Sequence, residues 1–278
     1  MLITEMTQDY IVSPAWLASQ LDNPQVVVVD CRFALADTQL GQKQYQESHI
    51  PGAYYLDLEK DLSAPVQKHG GRHPLPNIDQ FAAKLAVMGI NFRETHVIAY
   101  DDTNSAFAAR LWWLLRYLGH DRVSILDGGW SAYLEGNYPT TAAIPTPKKG
   151  HFSPQLRTDW VVDIEGVKQR KDSAHTILID SRDRDRYLGE REPIDPIAGH
   201  IPGAVNLPWK TACDATGHLQ PPAAQKQRWT ALNPPEEIIV YCGSGVTACV
   251  NLLSLELAGI PNGKLYPGSW SDWCSYLV

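Results

Sequence analysis

His49-Ile50-Pro51-Gly52-Ala53 returns later in the chain as His200-Ile201-Pro202-Gly203-Ala204, and everything around the first copy is answered around the second. Val28-Val29-Asp30-Cys31-Arg32 stands ahead of one copy and Leu178-Ile179-Asp180-Ser181-Arg182 ahead of the other. Val97-Ile98-Ala99-Tyr100 is matched by Ile238-Ile239-Val240-Tyr241, and Asp127-Gly128-Gly129-Trp130 by Pro267-Gly268-Ser269-Trp270. Landmarks repeated in one order imply a duplicated domain, and 278 residues suffice for two modest cores. Between the copies, Asn137 to Pro154 holds Pro139, Pro145, Pro147 and Pro154 beside Lys148-Lys149-Gly150, a composition suited to an extended linker. The boundary is placed near Lys148, giving domains 1–147 and 148–278.

Within each half, short β-branched runs alternate with helical patterns. Val26 to Asp30, Thr95 to Tyr100 and Val123 to Leu126 read as strands, answered by Thr176 to Asp180, Glu237 to Tyr241 and Lys264 to Tyr266. Ile78 to Met88, Ala106 to Leu118 and Thr247 to Ala258 carry helical periodicity and stop before Gly89, Gly119 and Gly259. The expected fold class is α/β: two tandem domains, each a mostly parallel sheet flanked by helices. Ligands of such sheets sit beyond the carboxyl ends of strands, so the loops after Tyr100 and Tyr241 are the ones to inspect.

The balance of 24 basic against 31 acidic residues leaves −7 and gives no attraction to a nucleic-acid backbone or an anionic membrane. The most apolar stretch, Ala106 to Leu118, is broken by Arg110 and Arg116 and falls short of the roughly 18 to 20 residues that span a bilayer. Met1 to Ser13 carries Glu5 and Asp9 and reads as no secretory signal, so the cytoplasm is the expected address. Cys31, Cys213, Cys242, Cys249 and Cys274 are an odd, scattered set without C-x-x-C, which suits reduced thiols and predicts no metal. His69 and His73 are separated by Gly70-Gly71, against the helix that would make them paired ligands.

One loop has the residues for chemistry. After Tyr241 comes Cys242-Gly243-Ser244-Gly245-Val246-Thr247, leading into a helix. Its two glycines let successive amides turn toward one point, and the helix end adds partial positive charge, so an anion is held there and a neighbouring thiolate favoured. Cys242 is the expected nucleophile, with Gly243, Gly245, Val246 and Thr247 forming the cradle. The other four cysteines are expected to pack as small apolar side chains. In the first half the loop reads Asp101-Asp102-Thr103-Asn104-Ser105, which has no thiol and would repel an anion. His49 and His200 recur in both halves and are expected to pin loops rather than react. Trp112, Trp113, Trp130, Trp270 and Trp273 are expected in the core or the interface.

Together, the duplication, the repeated H-I-P-G-A, D-G-G-W with its counterpart, and C-G-S-G-V-T make the chain resemble a two-domain sulfurtransferase of the rhodanese family over nearly its whole length. The resemblance implies that Cys242 takes a sulfane sulfur from a small-molecule donor, becomes a persulfide and passes the outer sulfur to a thiol acceptor such as thioredoxin or a small thiol, or to cyanide. It implies no cofactor. Thiosulfate-preferring members resemble C-R-K-G-V-T and 3-mercaptopyruvate sulfurtransferases C-G-S-G-V-T, and this chain has the second form. Thiosulfate is a compact dianion favoured by cations around the cradle, and Gly243 and Ser244 supply none.

The resemblance further pairs Ser244 with a histidine and an aspartate, which local motif puts at His73, in His73-Pro74-Leu75-Pro76, and at Asp61, in Asp61-Leu62-Ser63-Ala64-Pro65. Arg186 aligns with the substrate-anchoring arginine, and a guanidinium fork suits a carboxylate. A second family arginine, in E-P-E-P-R, finds Glu192-Pro193-Ile194 here, so either Arg191 reaches in from nearby or one contact is missing. A cysteine phosphatase would need C-x5-R, and the position six after Cys242 is Ala248. The alternatives retained are a thiosulfate:cyanide sulfurtransferase and a persulfide carrier that does not turn over.

Overall fold

The structure, a computed structural model, describes residues 10–278; most of the amino-terminal stretch read as lacking a secretory signal lies outside them. Two sheets form the frame. The first has order β1-β5-β4-β2-β3, with β1 Ile11–Val12, β2 Val26–Asp30, β3 Tyr54–Tyr55, β4 His96–Tyr100 and β5 Val123–Leu126. The second runs β7-β6-β8-β9, with β6 Thr176–Asp180, β7 Val205–Asn206, β8 Glu237–Tyr241 and β9 Gly263–Leu265. Every pairing is parallel, so the expected mostly parallel sheets are wholly so. The β-branched runs Val26-Val27-Val28-Val29 and Ile238-Ile239-Val240 occupy the middle of each sheet, where helices cover both faces and no polar face is needed.

Strand for strand, β2, β3, β4 and β5 are repeated as β6, β7, β8 and β9. The counterpart of β1 has shrunk to one parallel bridge between Val161 and Leu265. The two-residue strands β1, β3 and β7 are illegible in the sequence because they are too short to show a period.

The lobes share one apolar core. The helix Ala108–Tyr117 packs against the helix Ala248–Leu257, its equivalent in the other lobe. A single cluster runs through Leu111, Trp112 and Leu115 to Val246, Cys249 and Val250. This continuity explains why Ala108–Tyr117 is buried all round rather than on one stripe. Of its two arginines, Arg116 forms an ion pair across the junction, reaching Glu256 at 2.9 Å. The connecting stretch is strapped to the first lobe, with amides of Lys148, Gly150, Gln155 and Arg157 bonded to carbonyls of Val87, Ala86, Leu118 and Tyr117. Val162 then joins the second sheet through Leu265.

The repeated motifs are scaffold in both lobes. Asp30 holds Arg32 by a forked ion pair, with Trp130 stacked on the guanidinium at 4.5 Å; Asp180, Arg182 and Trp270 repeat the arrangement at 5.0 Å. His49 stacks on Tyr45 and bonds its carbonyl, as His200 does with Tyr187. Both histidines therefore pin chain to chain, and His200 does so on the turn that carries Arg186.

Candidate active site

Cys242 stands at the carboxyl end of β8, and its residue is 2% exposed. It opens onto a cleft of about 220 Å³ between the lobes, walled by Leu58, His73 and Phe107 on one side and by Arg186, Trp209 and the loop Gly243–Thr247 on the other. A more open hollow of about 490 Å³ lies at the amino ends of the second sheet, beside Thr176, Glu237 and Lys264, and is lined by no cysteine.

The loop turns as its glycines allow. Gly245 has φ +75, and a Cβ there would stand 2.4 Å from the Pro267 carbonyl oxygen, so no larger residue fits. Ser269 holds the loop's first amide: its hydroxyl accepts from Cys242 N–H at 3.1 Å and donates to the Tyr266 carbonyl at 2.9 Å. To do so it sits at φ 57, where the first lobe has Gly129. The amides of Gly243 to Thr247 donate to no protein acceptor among the described residues.

The first lobe shows what such amides hold. There Asp101, the residue aligned with Cys242, turns its own carboxylate into the loop and accepts from the amides of Thr103, Ser105, Phe107 and Ala108 at 2.8–3.0 Å. Burial pushes this carboxyl up to about 6, while the amides of Ala108, Thr103 and Phe107 pull it down. Read from sequence, carboxylates repel an external anion from this loop; in the structure one of them is the anion.

Ser244 and His73 meet: Oγ and Nδ1 are 2.7 Å apart. His73 arrives on a first-lobe loop that docks on the second lobe, through Gly70 N–H to Asp272 at 2.7 Å and Arg72 N–H to Ser271 at 3.1 Å. Gly71, at φ +83 with the Gly268 carbonyl oxygen 2.4 Å from a built Cβ, makes that approach sterically possible. Burial, reinforced by the Arg110 and Arg72 guanidinium groups, lowers His73 to about 3, so its imidazole is neutral at ordinary pH. Beneath the pair lies Arg110, fully buried and without a carboxylate partner among the described residues, donating to the carbonyls of Gly245 at 3.0 Å and His73 at 3.1 Å. It fastens the cysteine loop and the histidine loop to one point.

Asp61 does not join them. Its carboxylate pairs with Lys84 and accepts from Asp57 N–H at 2.8 Å, which turns it away from the cleft and into its own turn. The expected Ser-His-Asp arrangement is therefore a two-member pair at Ser244 and His73. Motif alignment found Asp61 but carried no information on Lys84, which captures it.

Arg186 lines the cleft as expected, held by Glu192 at 2.6 Å and Asp195 at 3.3 Å. Arg191 does not reach in: half exposed, it pairs with Asp185 at 2.6 Å because buried Glu192, next to it in sequence, turns inward instead. The second cation comes from the other lobe. Arg72, paired with Asp195, places Nη2 at 3.1 Å from where a Cβ on Gly243 would stand, with Arg186 Nη1 at 3.6 Å from the same point. Neither of those two nitrogens has a hydrogen-bond partner among the described residues. Arg72 was missed because only folding brings residue 72 to residue 243; its adjacency to His73 was the available signal.

The chain is similar to known proteins along nearly its whole length. The rhodanese-like domain family matches residues 13–135 and again 163–276. A probable 3-mercaptopyruvate sulfurtransferase of Pseudomonas aeruginosa is 44% identical, covering 96% of each chain. A thiosulfate sulfurtransferase of Rattus norvegicus is 33% identical over 95% of this chain and 91% of its own. The crystal structure of SseA from Escherichia coli, described with the rhodanese fold of 3-mercaptopyruvate sulfotransferases, superposes with a TM-score of 0.83 at 34% identity, covering 95% of this chain and 99% of that one.

Proposed function

The chain belongs to the rhodanese family, in two tandem copies of its domain, and from that premise we propose that it is a sulfurtransferase using 3-mercaptopyruvate as donor. The observation that carries the reading is Cys242 at the start of its loop, in one cleft with two guanidinium nitrogens that converge beside Gly243. Arg72 Nη2 and Arg186 Nη1 take the donor's carboxylate, which leaves its sulfur toward Cys242.

The Cys242 thiolate attacks that sulfur, the carbon–sulfur bond breaks, and its electron pair leaves as the enolate of pyruvate. The enolate takes a proton at carbon and departs. The Ser244 hydroxyl, bonded to neutral His73, and the loop amides stabilise charge as it shifts. An acceptor thiolate or cyanide then attacks the outer sulfur of the persulfide and expels Cys242 as thiolate, completing a double displacement. A thiol, thioredoxin or a small thiol, is the proposed acceptor. Five free, buried cysteines suit a reducing compartment, and the cytoplasm is proposed as that compartment.

One observation favours a second reading. Arg72 brings a cation beside Gly243, where a thiosulfate-type loop carries its own arginine, so thiosulfate is the alternative donor. Steady-state kinetics with both donors and cyanide decide between them: a kcat/KM higher for mercaptopyruvate is expected, and a large preference for thiosulfate overturns the choice. Labelling of Cys242 once, without turnover in excess donor and acceptor, would make the chain a carrier instead.

A further inference from the structure

We propose that Asp195 tunes the cleft to monoanionic sulfur donors by cancelling the charge of the two arginines that bind them; this rests on the sulfurtransferase reading above and adds its specificity determinant. Four cations line the cleft, Arg72, Arg182, Arg186 and Lys210. Four carboxylates face them: Asp180 and Glu192 on Arg182, Glu192 and Asp195 on Arg186, Asp195 on Arg72, and Asp183 on Lys210. These eight side chains cancel in charge before the donor enters.

These pairs are not equivalent. Asp180 with Arg182 recurs as Asp30 with Arg32 in the lobe that has no thiol, so it is scaffold. Lys210 and Asp183 are about half and one-third exposed, and solvent screens them. Asp195 is different: its side chain is 2% exposed and spends one oxygen on Arg72 and the other on Arg186. It thus ties together two arginines from different lobes and leaves one nitrogen of each, Arg72 Nη2 and Arg186 Nη1, aimed at the position over Gly243. Two donors suit one carboxylate. A second negative charge on the ligand meets no uncompensated cation there and loses its hydration without return. Thiosulfate carries that second charge, and mercaptopyruvate does not.

Asp195→Asn adds one net positive charge while keeping shape and one acceptor. The ratio of kcat/KM for thiosulfate to that for mercaptopyruvate is expected to rise on the order of tenfold. Removing a cation as well, in Arg72→Met with Asp195→Asn, is expected to bring the ratio back toward wild type although both donors are used less well. A merely structural role for Asp195 would depress both donors together and leave the ratio unmoved, which overturns the proposal. Should Asp195→Asn fail to fold, inhibition of the wild-type protein decides the matter: pyruvate is expected to inhibit at least as strongly as the dianion sulfate, and tenfold stronger inhibition by sulfate contradicts that cancellation of charge. Absence of turnover with either donor would bring down the sulfurtransferase reading and this inference together, whereas turnover with an unaltered ratio in Asp195→Asn removes this inference alone.

Discussion

Burial treats four of the five cysteines alike. It pushes Cys213 and Cys249 up to about 12 and raises Cys31 and Cys274 as well, so all four stay protonated and inert. Cys242 is as buried as they are but borders the cleft, and that difference was readable in its Gly-Ser-Gly context. The arginines were only half readable. Arg186 has a motif, whereas Arg72 and Arg191 are separated by what each one pairs with, which no local pattern records. Arg186→Ala and Arg72→Ala are each expected to lower kcat/KM for mercaptopyruvate about 10- to 100-fold, mostly through KM, as loss of a charged hydrogen bond implies. Arg191→Ala, on the surface beside Asp185, should stay within about twofold in the same assay. His73 at about 3 is neutral throughout the working range, so kcat/KM is expected to show no imidazole titration between about pH 5 and 8. An inflection near pH 6.5 that disappears in His73→Asn would contradict this.

At the scale of elements, the long strands and helices were legible because burial on both faces leaves continuous apolar runs, and their ends fell within two residues of the observed ones. Loops were less legible, since their shape depends on what they dock against. The loop Gly243–Thr247 closes over Pro267, and its glycine at 245 is fixed by that contact. Gly245→Ala is expected to cost about 2 kcal/mol or more, a drop of several degrees in thermal midpoint for a chain of this size, together with most of the activity. An unchanged midpoint by calorimetry would mean the loop is looser than the contact implies. Ser269 completes the same turn, and Ser269→Gly, which relieves φ 57 but removes the hydroxyl from Cys242 N–H, separates the two effects: stability is expected to hold while kcat falls. A fall in neither would deny Ser269 any part in shaping the loop.

For the whole molecule, duplication made one lobe the scaffold of the other's chemistry. The thiol-free lobe fills its own anion loop with Asp101 and contributes Arg72, His73 and Arg110 across the junction. Folding together has a cost in acid. His73 and His120 are held near 3 and 4 by burial, so between about pH 6.5 and those values the unfolded chain binds protons that the folded one refuses. Stability present above pH 6.5 is therefore lost as pH falls. Asp101, which keeps its proton up to about 6 when folded, works in the opposite sense between 6 and its ordinary value, but it is one group over a narrower window. Denaturant midpoints are expected to be lower at pH 4.5 than at pH 7, with the gap reduced in His73→Asn; a flat profile would contradict the burial of neutral imidazole. The claim on which all of this depends concerns one sulfur atom and has a direct test. Mass spectrometry after mixing with mercaptopyruvate alone should find one added sulfur, about 32 Da, on the peptide bearing Cys242, with equimolar pyruvate released and neither seen in Cys242→Ser. Sulfur on another cysteine, or turnover that survives Cys242→Ser, would contradict it.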